Sequence, residues 1–415
     1  MKTAWQKVRA AIEDADTAAL VELATGWDVD ERRQIARELP GYLPAARAFH
    51  QRRHSGAALD GWITPMRVAG AGSIADAAAV AAWVNRREFA DGAVFRWDGG
   101  EADDTEWVVR ALATRPVEWR QDLAVRLALR LRSLRPEADR RVNLALTMLR
   151  ESGAQPPEHA PLTAAWLEAT GPADLAGDPL LDTMVRALFE SEGVGRLLQD
   201  DLMWPKALCA LAGAGRLSRE GLLAGCRSRF LAGGVAVDQR FFVRLHDMLD
   251  PTPEETTPYV RDYLALLPSA TPYVAGLALK AVRGAGTLPP AQAGEAVEAL
   301  LYRPEGRFVR AGLTWLDRLL KHTDDGLDAW APALSIALTN GSGQVRDRAA
   351  RLAAAYAPRF SALGAAAMRE ALESSSEAPF VSPRLPDVPP MGGRMGAGAG
   401  RTAGGHGGRG AEAGQ

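Results

Sequence analysis

The 415-residue chain predicts an all-α fold, an α-solenoid of HEAT-like stacked helical hairpins. The strongest reason is an internal repeat. Val274 opens Val-Ala-x-Leu ending at Leu277, Val309 opens Val-Arg-x-x-Leu-x-x-Leu through Leu313 and Leu316, and Val345 opens Val-Arg-x-x-Ala-x-x-Leu through Ala349 and Leu352. The leading valines stand about 35 residues apart. That is the length of a helix–loop–helix unit, and one hairpin cannot bury its apolar face alone. The second reason is dense helix punctuation, and the third is the scarcity of strand patterns.

Taken in order, Trp5, Val8 and Ile12 form a first apolar stripe, and Leu20, Val21 and Leu23 begin a second after the Asp14–Asp16 break. Asp28 to Glu31 resembles a capping box ahead of Ile35 and Leu39, with Pro40 expected to stop that helix. The best strand candidates are short: Trp62–Val68, interrupted by Pro65, and Ala93–Trp97. Arg115-Pro116 and Arg135-Pro136 read as helix starts. Helical faces follow at Leu123, Leu127, Leu131 and Leu134, at Leu144, Met148 and Leu149, and at Met184, Val185, Leu188 and Phe189. Thr252-Pro253-Glu254-Glu255 is a full capping box, and Thr271-Pro272 repeats the cap-plus-proline device before Val274. The expected organisation is an irregular helical region over 1–250, regular repeats over 251–373 and a disordered tail rich in Pro, Gly and Arg over 374–415.

Composition narrows function by exclusion. At 47% hydrophobic and 24% charged the chain is that of a soluble folded protein. A formal net charge of −2 provides no global field toward nucleic acid or anionic lipid. Only five of the 49 basic residues are lysine. With the heavy use of Ala and Gly, this arginine excess reads as the codon bias of a GC-rich genome rather than as an arginine surface. Cys209 and Cys226 make neither a zinc knuckle nor a disulfide framework and read as small buried hydrophobes. The N-terminal stretch has no signal-peptide core and no run of eighteen apolar residues exists, so a cytoplasmic protein is expected.

Three passages carry a family resemblance: RVAGAGSIADAAAVAAWVNRREF from Arg67, RPVEWRQDLAVRLALRLR from Arg115, and TPYVAGLALKAVRGAGTLPPAQAGEAVEALLYRPEGRFVRAGLTWLDRLL from Thr271. Over roughly residues 1–375 the chain resembles a family of HEAT-like α-solenoid proteins of GC-rich actinobacteria, a domain of unknown function. The resemblance implies neighbours such as MoxR-type AAA ATPases, von Willebrand factor A proteins and SWIM zinc-finger proteins. No catalytic residues are established for that family, so none is carried over. The Gly/Arg tail stands where the family's proline-rich linker leads onward, which suggests a truncated or shifted reading frame.

The chemical motifs are weak. Gly70-Ala71-Gly72-Ser73-Ile74-Ala75 matches the dinucleotide pattern G-x-G-x-x-G/A, but no βα alternation follows, and Asp98 lies later than the usual acidic residue. A turn capping a helix over Ser73–Arg87 is the expected role. No lysine follows a glycine as a phosphate loop requires. His50 and His54 share a helical face at the spacing of two metal ligands, yet basic residues between them favour a solvated helix end. His246-Asp247 could be an oriented base, but no nucleophile has recognisable context. Asp103-Asp104 and Asp324-Asp325 read as helix caps, and most of the tryptophans, Trp83, Trp166 and Trp315 among them, as core. Arg310 and Arg346 open second helices, where an arginine is expected to pair with an acidic neighbour in the stack and less often to contact a partner.

The functional expectation is a non-enzymatic scaffold or adaptor that binds protein on the concave face of the solenoid, with no cofactor and no metal. The alternative is a nucleic-acid-binding protein or a DNA glycosylase-like enzyme of HEAT type, which would need basic residues clustered on that face. Instead, Glu295, Glu298, Arg303, Glu305, Arg307 and Arg310 interleave.

Overall fold

A computed structural model describes residues 2–53, 60–90, 103–132, 141–286, 288–322 and 327–377, and every regular element among these residues is a helix. The all-α expectation holds. The second strand candidate, Asp98, His54, Arg135-Pro136, Asp324-Asp325 and residues 378–415 of the expected tail lie outside the described residues.

α1 (Ala4–Glu13) opens on a Thr3–Gln6 capping box, and α2 (Thr17–Gly26) is capped by Asp16. α3 (Val29–Arg53) does have the Asp28 box: Asp28 Oδ1 accepts from the Glu31 amide at 2.8 Å, and Glu31 returns the bond. Pro40 does not stop it. The helix runs through Pro40 and Pro44 because Leu39, Leu43 and Ala46 continue one buried face across them, and that burial offsets the missing backbone bonds.

α4 (Ile63–Ser73) occupies the first strand candidate. Pro65 sits in its first turn, where a missing N–H costs nothing. Gly70 and Gly72 are therefore inside a helix and not in a turn, and the next helix, α5 (Ala77–Val84), starts only at the Asp76 cap. The reason for the glycines is contact. A Cβ on Gly70 would overlap the Trp83 indole, whose Nε1 donates to the Met66 carbonyl at 3.0 Å, and one on Gly72 would crowd Ala24 and Trp27. The glycine spacing serves helix–helix approach, not pyrophosphate.

Beyond α6 (Arg87–Ala90) come α7 (Thr105–Leu112), α8 (Val117–Ala128), α9 (Arg141–Ser152) and α10 (Ala160–Ala169). Next are α11 (Leu181–Glu190), α12 (Met203–Gly213), α13 (Arg219–Leu231), α14 (Ala236–Leu249) and α15 (Pro253–Thr256). The chain closes with α16 (Val260–Leu266), α17 (Pro272–Gly284), α18 (Pro290–Leu301), α19 (Gly306–His322), α20 (Ala331–Leu338), α21 (Gly343–Tyr356) and α22 (Ala362–Glu377). The Thr252 capping box is formed, although the helix it opens lasts a single turn. α22 runs past residue 373, so the first residues assigned to the tail are helical.

Packing is local and layered. α16 pairs with α17, α18 with α19 and α20 with α21, and Val274, Val309 and Val345 are buried at the starts of the second helices. Between layers, first helices lie on first helices and second on second: α18 on α20, α19 on α21. The same order begins well before residue 251. α11 lies on α13 and α13 on α16, while α12 lies on α14 and α14 on α17; nearer the N-terminus α4 lies on α7 and α5 on α8. One apolar core runs from Val8 to Phe308 without a break at 250, and a second, from Ala293 to Ala371, joins it around Leu288 and Trp315. Trp83 and Trp166 are buried and Trp315 half-buried, as their apolar helical positions imply.

Arginine ties the layers together. Arg303, buried ahead of α19, donates to the Leu267 and Ala270 carbonyls at 2.8 and 2.9 Å and holds Glu305 with two further bonds. Arg283 reaches the Ala311 carbonyl, Arg307 that of Pro272, and Arg359 that of Leu320. Upstream, Arg115 donates to the Gly72 and Ile74 carbonyls, Arg150 grips Asp178, Arg219 grips Glu255, and Arg227 meets Asp262 at 2.9 Å. Arg67 pairs with Asp104 in full burial. The partners stand 28 residues apart for Arg150 and Asp178 and 43 for Arg115 and Gly72, so each bond spans about one repeat. The arginine excess thus has a structural use. A guanidinium presents five donors in a planar fork that can serve two carbonyls at once, which an ammonium cannot do with fixed geometry.

Replacing Gly70 with alanine is expected to lower stability by about 1–3 kcal/mol through overpacking against Trp83. Gly276→Ala in α17, where a Cβ meets nothing within 4 Å, is expected to raise it by up to about 1 kcal/mol. Chemical denaturation of the two variants beside the parent protein checks both signs.

Candidate functional site

The positions singled out from sequence do not converge. Arg310 is exposed on α19, its guanidinium lying back over Gly306, and it makes no side-chain hydrogen bond or ion pair among the described residues. Arg346 is half-buried and donates from Nη1 to the Asn340 and Gly341 carbonyls at 2.8 and 3.1 Å, closing the loop between α20 and α21. Neither pairs with an acidic neighbour. That role falls to arginines in the loops and on other helix faces, because the loop carbonyls stand nearest Arg346. His50 is not solvated: it is buried, and its Nε2 meets the Ile12 carbonyl at 2.9 Å, pinning α3 to α1. Asp103 accepts from the Thr105 amide as a cap should, whereas Asp104 is consumed by Arg67.

Cys226 is fully buried, with Sγ toward the Phe242 carbonyl, and burial pushes its thiol up; Cys209 is half-buried and shifted the same way for the same reason. A thiolate nucleophile needs the opposite shift. Among the described residues no group of three His, Cys, Asp or Glu side chains is placed to hold a metal ion, and no helix is long and apolar enough to cross a membrane.

Two clefts remain. The larger, about 450 Å³, lies between α11 and α13. Val185 and Phe189 of α11 and Leu222 of α13 form its floor, Gly221 and Gly225 line its α13 side, and the exposed Arg186 and Glu190 stand on its rim. Gly225 lies directly on the Phe189 ring. The groove is a product of layering, since it runs between the first helices of adjacent pairs.

The smaller cleft, about 210 Å³, opens between α14, α15 and α17. Here His246 lies almost wholly buried beside Phe230 and Tyr263, its Nε2 3.0 Å from the Tyr263 hydroxyl and its Nδ1 without a partner. Burial, reinforced by the Lys280 and Arg227 charges, pushes the imidazole down to about 4, so the ring is neutral at physiological pH. Asp247 and Lys280 also face the cleft, and burial raises the Asp247 carboxyl. The adjacency of His246 and Asp247 is visible in sequence. The contribution of Lys280, from a helix three elements on, is not; its rarity among arginines is the one signal that could have drawn attention to it.

No protein-family model, curated protein or solved structure matches the chain.

Because the fold holds His246 neutral, its stabilising contribution is complete above the unfolded value of 6.5 and is lost as the pH falls through about 4. Stability is expected to drop by about 3 kcal/mol across that window from this group. Denaturation curves at a series of pH values should show the drop, and His246→Asn should flatten it.

Proposed function

We propose that the chain is a non-enzymatic protein-binding scaffold or adaptor of the cytoplasm. On this reading its helical pairs form a solenoid. The single observation that supports it most is the layered packing, first helix on first and second on second, since such repetition gives an extended surface of parallel helix faces suited to a protein segment. The α11–α13 groove, apolar at the floor and charged at the rim, has the features by which one amphipathic helix receives another. Arg310, exposed and unpaired among the described residues, is a second contact on the other face, while Arg346 is committed to its own loop. By the resemblance of the passages at Arg67, Arg115 and Thr271, the partner class is a MoxR-type AAA ATPase with its von Willebrand factor A companion.

The alternative, a HEAT-type nucleic-acid-binding protein or glycosylase-like enzyme, is less well supported. Phosphate binding requires free cations, and Arg115, Arg150, Arg219, Arg227 and Arg303 are spent on carbonyls and carboxylates inside the stack.

Affinity capture from the native host, followed by titration of the purified partner, tests the proposal. The double charge reversal Arg186→Glu, Glu190→Arg is expected to weaken partner binding about 10-fold or more, the scale of a desolvated rim contact, with the melting temperature unchanged. Undiminished binding would remove the groove from the account. Salt-sensitive binding of duplex DNA by the parent protein would favour the alternative.

A further inference from the structure

The cleft between α14, α15 and α17 has the chemistry of a small-molecule site that the scaffold reading does not use. α14 supplies His246 to its floor and Asp247 to one wall; α17 supplies Leu277, Lys280 and Ala281 to the other, and Pro253 closes one side. The walls are mostly apolar, with a few convergent polar groups, the pattern of a ligand pocket rather than of a solvated crevice.

Three polar features point to what it holds. First, His246 is 3% exposed, yet its Nδ1 has no hydrogen-bond partner, and a buried polar atom left so calls for a ligand or an ordered water. In the tautomer that carries its proton on Nε2, facing the Tyr263 hydroxyl, Nδ1 is an acceptor. Second, Asp247 is exposed at the cleft mouth with no ion pair among the described residues, and partial desolvation there raises its carboxyl although Lys280 pulls it down. It therefore lacks a close cation. Third, Lys280 feels Asp247 across the cleft but pairs instead with Asp250 at 3.3 Å, both members being largely exposed, so the ammonium can be shared at little cost. A cation and an anion thus face each other over an apolar pocket without meeting.

We propose that this cleft binds a free α-amino acid with an aliphatic side chain. The ligand's ammonium lies between Asp247 and His246 Nδ1, its carboxylate reaches Lys280, and its side chain packs on Leu277, Ala281 and Pro253. A zwitterion bridges the two charges, and a simple anion or cation satisfies only one. The volume of about 210 Å³ equals about seven waters of liquid, room for a valine or leucine. Because α14 lies on α17, occupancy would clamp two successive layers together.

The test is thermal denaturation of the full chain alone, without any partner, so that its outcome is independent of the scaffold reading. The probes are L-leucine, 4-methylpentanoate and isopentylamine, each titrated to about 10 mM. L-leucine is expected to give a saturable rise in Tm of about 2–4 °C, since a ligand that binds only the native state stabilises it. Each singly charged analogue should give less than half that rise. Asp247→Asn and Lys280→Met, both at exposed positions, should melt like the parent protein and lose the leucine response. The proposal is overturned if L-leucine produces no shift, if either analogue matches it, or if both variants keep the full response. No shift would leave the Nδ1 site to water.

Discussion

The structure depends on arginine reaching across one repeat to the layer beside it. Helix ends leave carbonyls without partners, and in a stack of short helices those ends recur in every layer, shielded from solvent by the next pair. Arg303 takes up two of them from the α16–α17 loop while its own charge is balanced by Glu305. Arg115 does the same for the end of α4. Burying a charge is costly unless every donor is satisfied, and the guanidinium fork satisfies the condition because the orphan carbonyls are already there. Hydrophobic burial glues the layers without direction; these bonds fix how far one pair is displaced along the next.

Once displacement is fixed, close contact becomes possible at chosen points. Gly70 lets α4 lie on Trp83, and Gly225 lets α13 lie on Phe189. Beside such contacts, clefts open. The α11–α13 groove and the α14–α17 cleft are both such gaps between layers. The polar groups in the second one, His246 and Lys280, come from the same helices whose packing builds the stack. Any ligand or partner in these gaps therefore acts on the contact between layers.

Much of this was legible in the residues. The valines at 274, 309 and 345 do open buried second helices, and the Asp28 and Thr252 boxes do cap helices. Elsewhere tertiary packing overrides the local signal. Trp62–Val68 resembles a strand and the glycines at 70 and 72 a turn because local signals report the backbone's freedom and not what packs against it. Only Trp83, in the next helix, shows why Gly70 is there. Pro40 carries the local signal of a stop, whereas the burial of Leu39, Leu43 and Ala46 that carries the helix past it is a tertiary effect. Helix contacts before residue 251 carry no 35-residue register because the connections there differ in length. The site was less legible still: Asp247 and Lys280 are brought to one cleft by the stacking of α14 on α17, and no spacing rule links them.

The claim that arginine geometry, and not positive charge alone, sets the layers is tested most directly by Arg303→Lys. Chemical denaturation of this variant, beside Arg310→Lys on the exposed face, separates the two. The account predicts a loss of about 2–3 kcal/mol for Arg303→Lys, from charged hydrogen bonds that an ammonium cannot span, and a change within about 0.5 kcal/mol for Arg310→Lys. Equal stability of both variants with the parent protein would contradict it.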